Sequence, residues 1–242
     1  MLGFVAWRAD AASEVLFHQD PANDDAFLGS SWHAPDGSDE DQFVWEDIRL
    51  ERGGSIAEVR WYGGYGAPPG GGESAAVGSF TLSIFPSAEG GSQPELRGAA
   101  LKVYSTRNNA AETLVGTAGG AGLYEYRFVL PEPFAARPGV IYWLQIEATQ
   151  TGTPTWGLAR ATSGDDKHFR RLTKDGDRYF QLVPGDAALS LIGTATPATA
   201  PQAAPVGVPA GPAVPAPAGA VPAPAAETPR LTPVVPSELD AQ

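Results

Sequence analysis

The sequence predicts an all-β fold: an antiparallel two-sheet sandwich, jelly-roll-like, over residues 1–193, followed by a disordered Pro/Ala-rich tail over residues 194–242. Three observations predict it. Apolar residues in the body alternate with polar ones, the period of a half-buried strand, and do not recur at helical spacing. The alternating runs are separated by turn-rich segments such as YGGYGAPPGGGES, SAEGGSQPE, GTAGGAG and PEPFAARPG, the punctuation of an antiparallel sandwich. All six Trp, seven Tyr and ten Phe precede residue 194, so everything able to build a core lies before the tail.

Taken in order, FVWEDIRL is a short strand candidate. SIAEVRWYG follows, with Ala57, Val59 and Trp61 on one face and Glu58 and Arg60 on the other. SFTLSIFP directs Phe80, Leu82 and Ile84 inward and Thr81 and Ser83 outward. YEYRFVLP groups Tyr124, Tyr126, Phe128 and Leu130 against Glu125 and Arg127. VIYWLQIEA turns Tyr142, Leu144 and Ile146 to the core, and ALSLIG does so with Leu189 and Leu191. TWGLARA and RYFQLV are further short candidates. A unit of this size buries roughly 70% of its unfolded surface, enough to fold without disulfides or a structural metal. From Thr194 on, twelve prolines and fourteen alanines leave no aromatic residue. Such chain is extended and polyproline-II-like, and reads as a spacer.

Charge and composition exclude several function classes. The chain has no cysteine, which removes thiol catalysis, Cys-based zinc sites and disulfides. A net charge of −12 argues against nucleic acid and anionic membrane as partners, since both need a basic footprint. No apolar run reaches the ~20 residues of a membrane span. The start lacks the basic segment and apolar length of a secretion signal, so no signal peptide is expected in this chain; Ala9-Asp10-Ala11 is a candidate remnant of a cleavage site. Acidic groups crowd residues 1–48, where Arg8 is the sole base. The basic counterpart is Arg160, Lys167, Arg170, Arg171, Lys174 and Arg178, which could lie against that acidic segment.

No G-x-S-x-G elbow, Walker loop or His-Glu-x-x-His is present, and His18, His33 and His168 are not at ligand spacing. The acidic loop Asp36-Gly-Ser-Asp39-Glu40-Asp41 is the one candidate for metal chemistry. Calcium takes six to eight oxygen ligands from a flexible loop, and Asp36, Asp39 and Asp41 are its candidate ligands. The alternative is a solvated loop. For binding, alternation places Trp143 with Gln145 and Glu147, away from Tyr142, Leu144 and Ile146. An indole among polar groups suits stacking on a sugar ring; under covering loops the same residue is ordinary core. Tyr62, Trp156 and Tyr179 are weaker members of the same candidate surface.

The runs SDEDQFVWEDIRLERGGSIAEVRWYGGYG, SFTLSIFPSAEGGSQPE, EYRFVLPEPFAARPGVIYWLQIEA, PTWGLARA and GDAALSLIG resemble successive strands of bacterial secreted modules of the choice-of-anchor and PEP-CTERM-associated type. Glu46-Asp47-Ile48 stands where those modules carry Asp-Asp-Phe. Phe134, Gly139, Tyr142, Trp143, Trp156 and Asp186 fall at their usual positions. The resemblance spans most of residues 15–193 and implies a β-sandwich at the bacterial cell surface. It carries over no functional residue. The hydrophobic helix and basic tail that anchor such modules do not follow the spacer. The function expected is a non-catalytic extracellular or cell-surface structural or adhesive module on a flexible stalk, with a polysaccharide or protein partner. The alternatives are a carbohydrate-binding module, marked by an exposed aromatic strip, and a secreted hydrolase, marked by convergent carboxylates of perturbed pKa.

Overall fold

In the computed structural model the described residues are 13–24, 26–33, 41–66, 76–152, 155–174 and 177–197. They form fourteen strands and no helix, arranged as two sheets. The strands are β1 (Glu14–His18), β2 (Phe27–Gly29), β3 (Ser31–His33), β4 (Phe43–Arg49), β5 (Gly54–Tyr65), β6 (Val77–Pro86) and β7 (Lys102–Ser105). The chain continues with β8 (Thr113–Ala118), β9 (Ala121–Ala136), β10 (Ile141–Gln150), β11 (Trp156–Ala159), β12 (His168–Lys174), β13 (Asp177–Val183) and β14 (Leu189–Ala195). Residues 199–242 separate from the rest as a second unit and lie outside the described residues, as does the expected disorder of the tail.

The first sheet is organised by β5. One edge of β5 pairs with β14 and then β11, which are flanked by β1 and β2; the other edge pairs with β9, which carries β8. The second sheet runs β13-β12-β4-β10-β6-β7, with β3 pairing in parallel beside the end of β10. All other pairings are antiparallel.

Between the sheets lies the main core, formed by the residues the alternation assigned inward: Trp61, Phe80, Leu82, Ile84, Tyr126, Leu144, Ile146, Leu189 and Leu191 are all buried. Trp61 stacks on Tyr126 at 5.6 Å, and Phe80 meets the edges of Trp61, Tyr126 and Trp156. Polar atoms in this core are chained. Trp156 Nε1 donates to the Tyr126 hydroxyl, and Tyr126 and Tyr65 both donate to Glu112 Oε2, at 2.8 and 2.7 Å.

Three details differ from the expected strands. Ile56, not Ala57, fills the core at the start of β5, because the register with β9 slips between Ile56 and Glu58. A bulge of this kind shifts the side chains before it to the opposite face. PEPFAARPG is not wholly turn: β9 continues to Ala136 and buries Phe134, while Pro131 and Pro133, which have no N–H to offer, fall in the unpaired bulge. The last strand passes residue 193, since Thr194 and Ala195 pair with Ser55 and Gly54.

Candidate functional site

The outer face of the second sheet carries a second apolar cluster. Trp45 on β4, Trp143 on β10 and Phe169 on β12 are buried there, with Phe43, Phe85, Leu96 and Ile141 packed around them. All but Leu96, which lies in the β6–β7 connection, belong to the set of positions opposite the core-facing residues of their strands. The rings meet edge to face: Trp45 lies 5.9 Å from Phe169 and 6.4 Å from Phe85, and Trp143 lies 6.3 Å from Phe169. Such offset contacts suit the ring quadrupoles.

One cover of this cluster is the β6–β7 connection. SAEGGSQPE, expected as a turn, folds back as a small hairpin in which Ser87 bridges Pro94 and Ala88 N–H donates to Gln93 C=O. Gly90 and Gly91 take φ of +87° and +75°, where a Cβ would be strained. Ser87 Oγ accepts a 3.0 Å hydrogen bond from Trp143 Nε1, and Leu96 closes over the rings.

Between this hairpin and the β12–β13 hairpin lies a cleft of about 670 Å³. Phe169 and Phe180 line its floor, with ring centroids 6.4 Å apart and planes inclined by 27°. Glu89, Gln93, Glu95 and Arg97 of the β6–β7 connection line it as well. Phe180 is 50% exposed and Leu182, two residues on and on the same face, is 44% exposed, so apolar surface continues outward along the edge strand.

The structure corrects the candidate sugar platform. Trp143 has 0% exposure and serves the outer cluster, so its face is covered by the hairpin and is not a stacking surface. Trp156 is equally buried, in the main core. Gln145 is buried and donates to half-buried Glu147 at 3.2 Å. Tyr62 sits half-buried on β5 in the other sheet. Tyr179 is 46% exposed, but alternation sends it to the face of β13 opposite Phe180. The six residues therefore do not form one surface. Phe169, Phe180, Leu96 and Arg97 were not singled out from the sequence; the signal was the alternation of Phe169 with Arg170 and of Phe180 with Gln181 on neighbouring strands.

Of the candidate calcium ligands, Asp36 and Asp39 lie outside the described residues. Asp41 lies close enough to Glu147 for its charge to act on that carboxyl. Among the described residues no group of three or more His, Asp or Glu could hold a metal ion, and no helix is long and apolar enough to cross a membrane. The basic segment meets the acidic one at the ion pair of Arg160 with Asp24, at 3.5 Å.

Several carboxyls are shifted. Burial, aided by Asp41, pushes Glu147 up to about 7. Burial and the Asp165 charge raise Asp47 to about 6. Glu46, 1% exposed inside the sandwich, is raised well above its ordinary range by burial, although its Oε2 accepts from Ala187 N–H at 2.9 Å. Burial also lowers His168, which lies against the Gly185 carbonyl. None of these groups lines the cleft.

A comparison with curated proteins gives no match. A family pattern described as a domain of unknown function, DUF7901, matches residues 15–179. The match stops before β14, which fills the first sheet between β1 and β5. Covering more than half of the 242 residues, it places the chain in the DUF7901 family.

Proposed function

We propose that the sandwich is a non-catalytic adhesive module of a bacterial cell surface, binding polysaccharide in the cleft between the β6–β7 hairpin and the β12–β13 hairpin, with residues 198–242 acting as its stalk. The observation that carries this reading is the half-exposed Phe180 ring stacked beside Phe169 in a cleft also lined by Gln93, Glu89, Glu95 and Arg97. A sugar offers an apolar ring face and a rim of hydroxyls, and sites for it combine aromatic faces with a few convergent polar groups. The position of the raised carboxyls supports a binding role over hydrolysis, because Glu46, Asp47 and Glu147 stand outside the cleft. The resemblance to secreted anchored modules supports the location.

The test is affinity electrophoresis of the full chain through gels containing bacterial or plant polysaccharides. A retarded band is expected, with retardation lost in Phe180→Ala and in Arg97→Ala while the melting temperature moves by no more than ~4 °C. Retardation that survives both substitutions, or none on any acidic or neutral polysaccharide, overturns the reading.

A further inference from the structure

A second pocket, of about 220 Å³, opens at the end of the sandwich where the two sheets meet, lined by Phe27 and Gly29 of β2, Gly157 of β11, Arg170 of β12, Gln42 and Thr155. Its construction is unusual in one respect. Arg170 is half-buried, and its Nε is sealed from solvent with no acceptor. Its Nη2 donates to Gln42 Oε1 at 2.8 Å, a neutral partner. No ion pair among the described residues involves it. A guanidinium withdrawn from water normally meets a carboxylate, because burying charge without one is costly. Here burial alone acts on Arg170, pulling its pKa down with no opposing carboxylate.

Two glycines let the groups that line the pocket approach closely. A Cβ on Gly29 would sit 2.6 Å from Gln42 Oε1, displacing the group that orients Arg170. Gly157 lies so close to Leu28 that a Cβ would come 2.8 Å from its carbonyl oxygen. At roughly 30 Å³ per water, the pocket has room for a ring-sized group.

We infer that this pocket binds the carboxylate of an acidic sugar, a uronic acid residue, through Arg170. With Nε sealed, the Nη1–Nη2 edge of the guanidinium is the end left to meet a carboxylate, which a planar arginine fork can hold by parallel hydrogen bonds. Gln42 and Thr155 are placed for hydroxyls, and the Phe27 ring offers an apolar wall. The site is independent of the cleft: Phe169 and Arg170 are consecutive and point to opposite faces of β12, so either can fail alone.

Solution NMR on the full chain tests it, titrating galacturonate, galactose and acetate in parallel. Galacturonate should shift the Arg170 Nε–H and the amides of Gly29, Gln42 and Gly157 with a saturable curve, galactose should not, and acetate should saturate at least tenfold more weakly. Arg170→Lys keeps the charge but loses the fork, and should weaken galacturonate at least tenfold. Thr155→Val, which removes only a hydroxyl, should weaken it severalfold and serves if the arginine variant does not fold. Equal saturation by acetate, an undiminished response in both variants, or shifts confined to Phe169 and Phe180 would overturn the assignment.

Discussion

Replacing Trp143 with alanine separates a structural indole from a binding one by its sign on stability. Trp143 has no exposed surface, touches Phe169, and donates to Ser87. Truncation of a buried aromatic residue costs ~3–5 kcal/mol through lost transfer energy and the cavity left behind. Trp143 belongs to a cluster whose lid is a loop hairpin, which can settle into part of the gap, so the lower end, about 3 kcal/mol, is expected. For a domain of this size each kcal/mol moves Tm by ~2–4 °C, giving a fall of about 6–12 °C. The assay is thermal unfolding followed by far-ultraviolet circular dichroism, with Phe180→Ala as control. Phe180 is half exposed, and its truncation should move Tm by no more than ~4 °C, as expected away from buried features. A Trp143 variant melting within 2 °C of the parent would refute the claim that the outer cluster is a packed core.

The pH dependence of stability follows from the shifted carboxyls. Glu46, Asp47 and Glu147 bind protons more tightly folded than unfolded, so their contribution is full below pH ~4, where the unfolded groups titrate. It is lost as pH rises through about 6 for Asp47 and about 7 for Glu147. Glu58 opposes this at the acid end: burial raises it, but hydrogen bonds from Arg127 and Arg60 outweigh burial and lower its pKa, so its support fades as pH falls below ~4.5. Urea unfolding across pH 4–8 should therefore show greatest stability near pH ~5, and Glu46→Gln should lessen the decline toward pH 8; stability that rises from pH 5 to 8 contradicts it. Calcium, if the acidic loop binds it through Asp36, Asp39 and Asp41, should raise Tm at millimolar concentration where matched sodium does not, as any ligand of the native state does. A rise that persists in the Asp39→Asn, Asp41→Asn double variant places the ion elsewhere.

The long central strands were legible because their alternation is strict: Phe80, Leu82 and Ile84, or Tyr142, Leu144 and Ile146, leave one reading of the inward face. The shift at Ala57 was not legible, since a bulge depends on the partner strand. The extension of β9 through two prolines was hidden for the same reason, because the bulge that tolerates them is made with β5. At the candidate site, alternation correctly put Trp143 on the face opposite the core but could not say what lies over that face. The covering hairpin is written in SAEGGSQPE as a turn, and only its path across Trp143 gives it meaning. Arg170 was visible merely as one of six basic residues, because its lack of a carboxylate is a property of neighbours on β2 and β11, distant in sequence.

The position of β14 carries a consequence for how the chain reaches its native state. This last strand sits inside the first sheet, between β1 and β5, pairing Leu191 with Phe17 on one side and Val59 on the other. Contacts spanning nearly the whole domain are slow to form, since the intervening loop must be closed before pairing rewards it. During synthesis, β1 and β5 emerge long before the strand that separates them, with unpaired edges and bare apolar faces able to pair wrongly. The sheet can close only once residues 189–195 are available to pair, so folding of this module is gated by the strand that is made last of the fourteen.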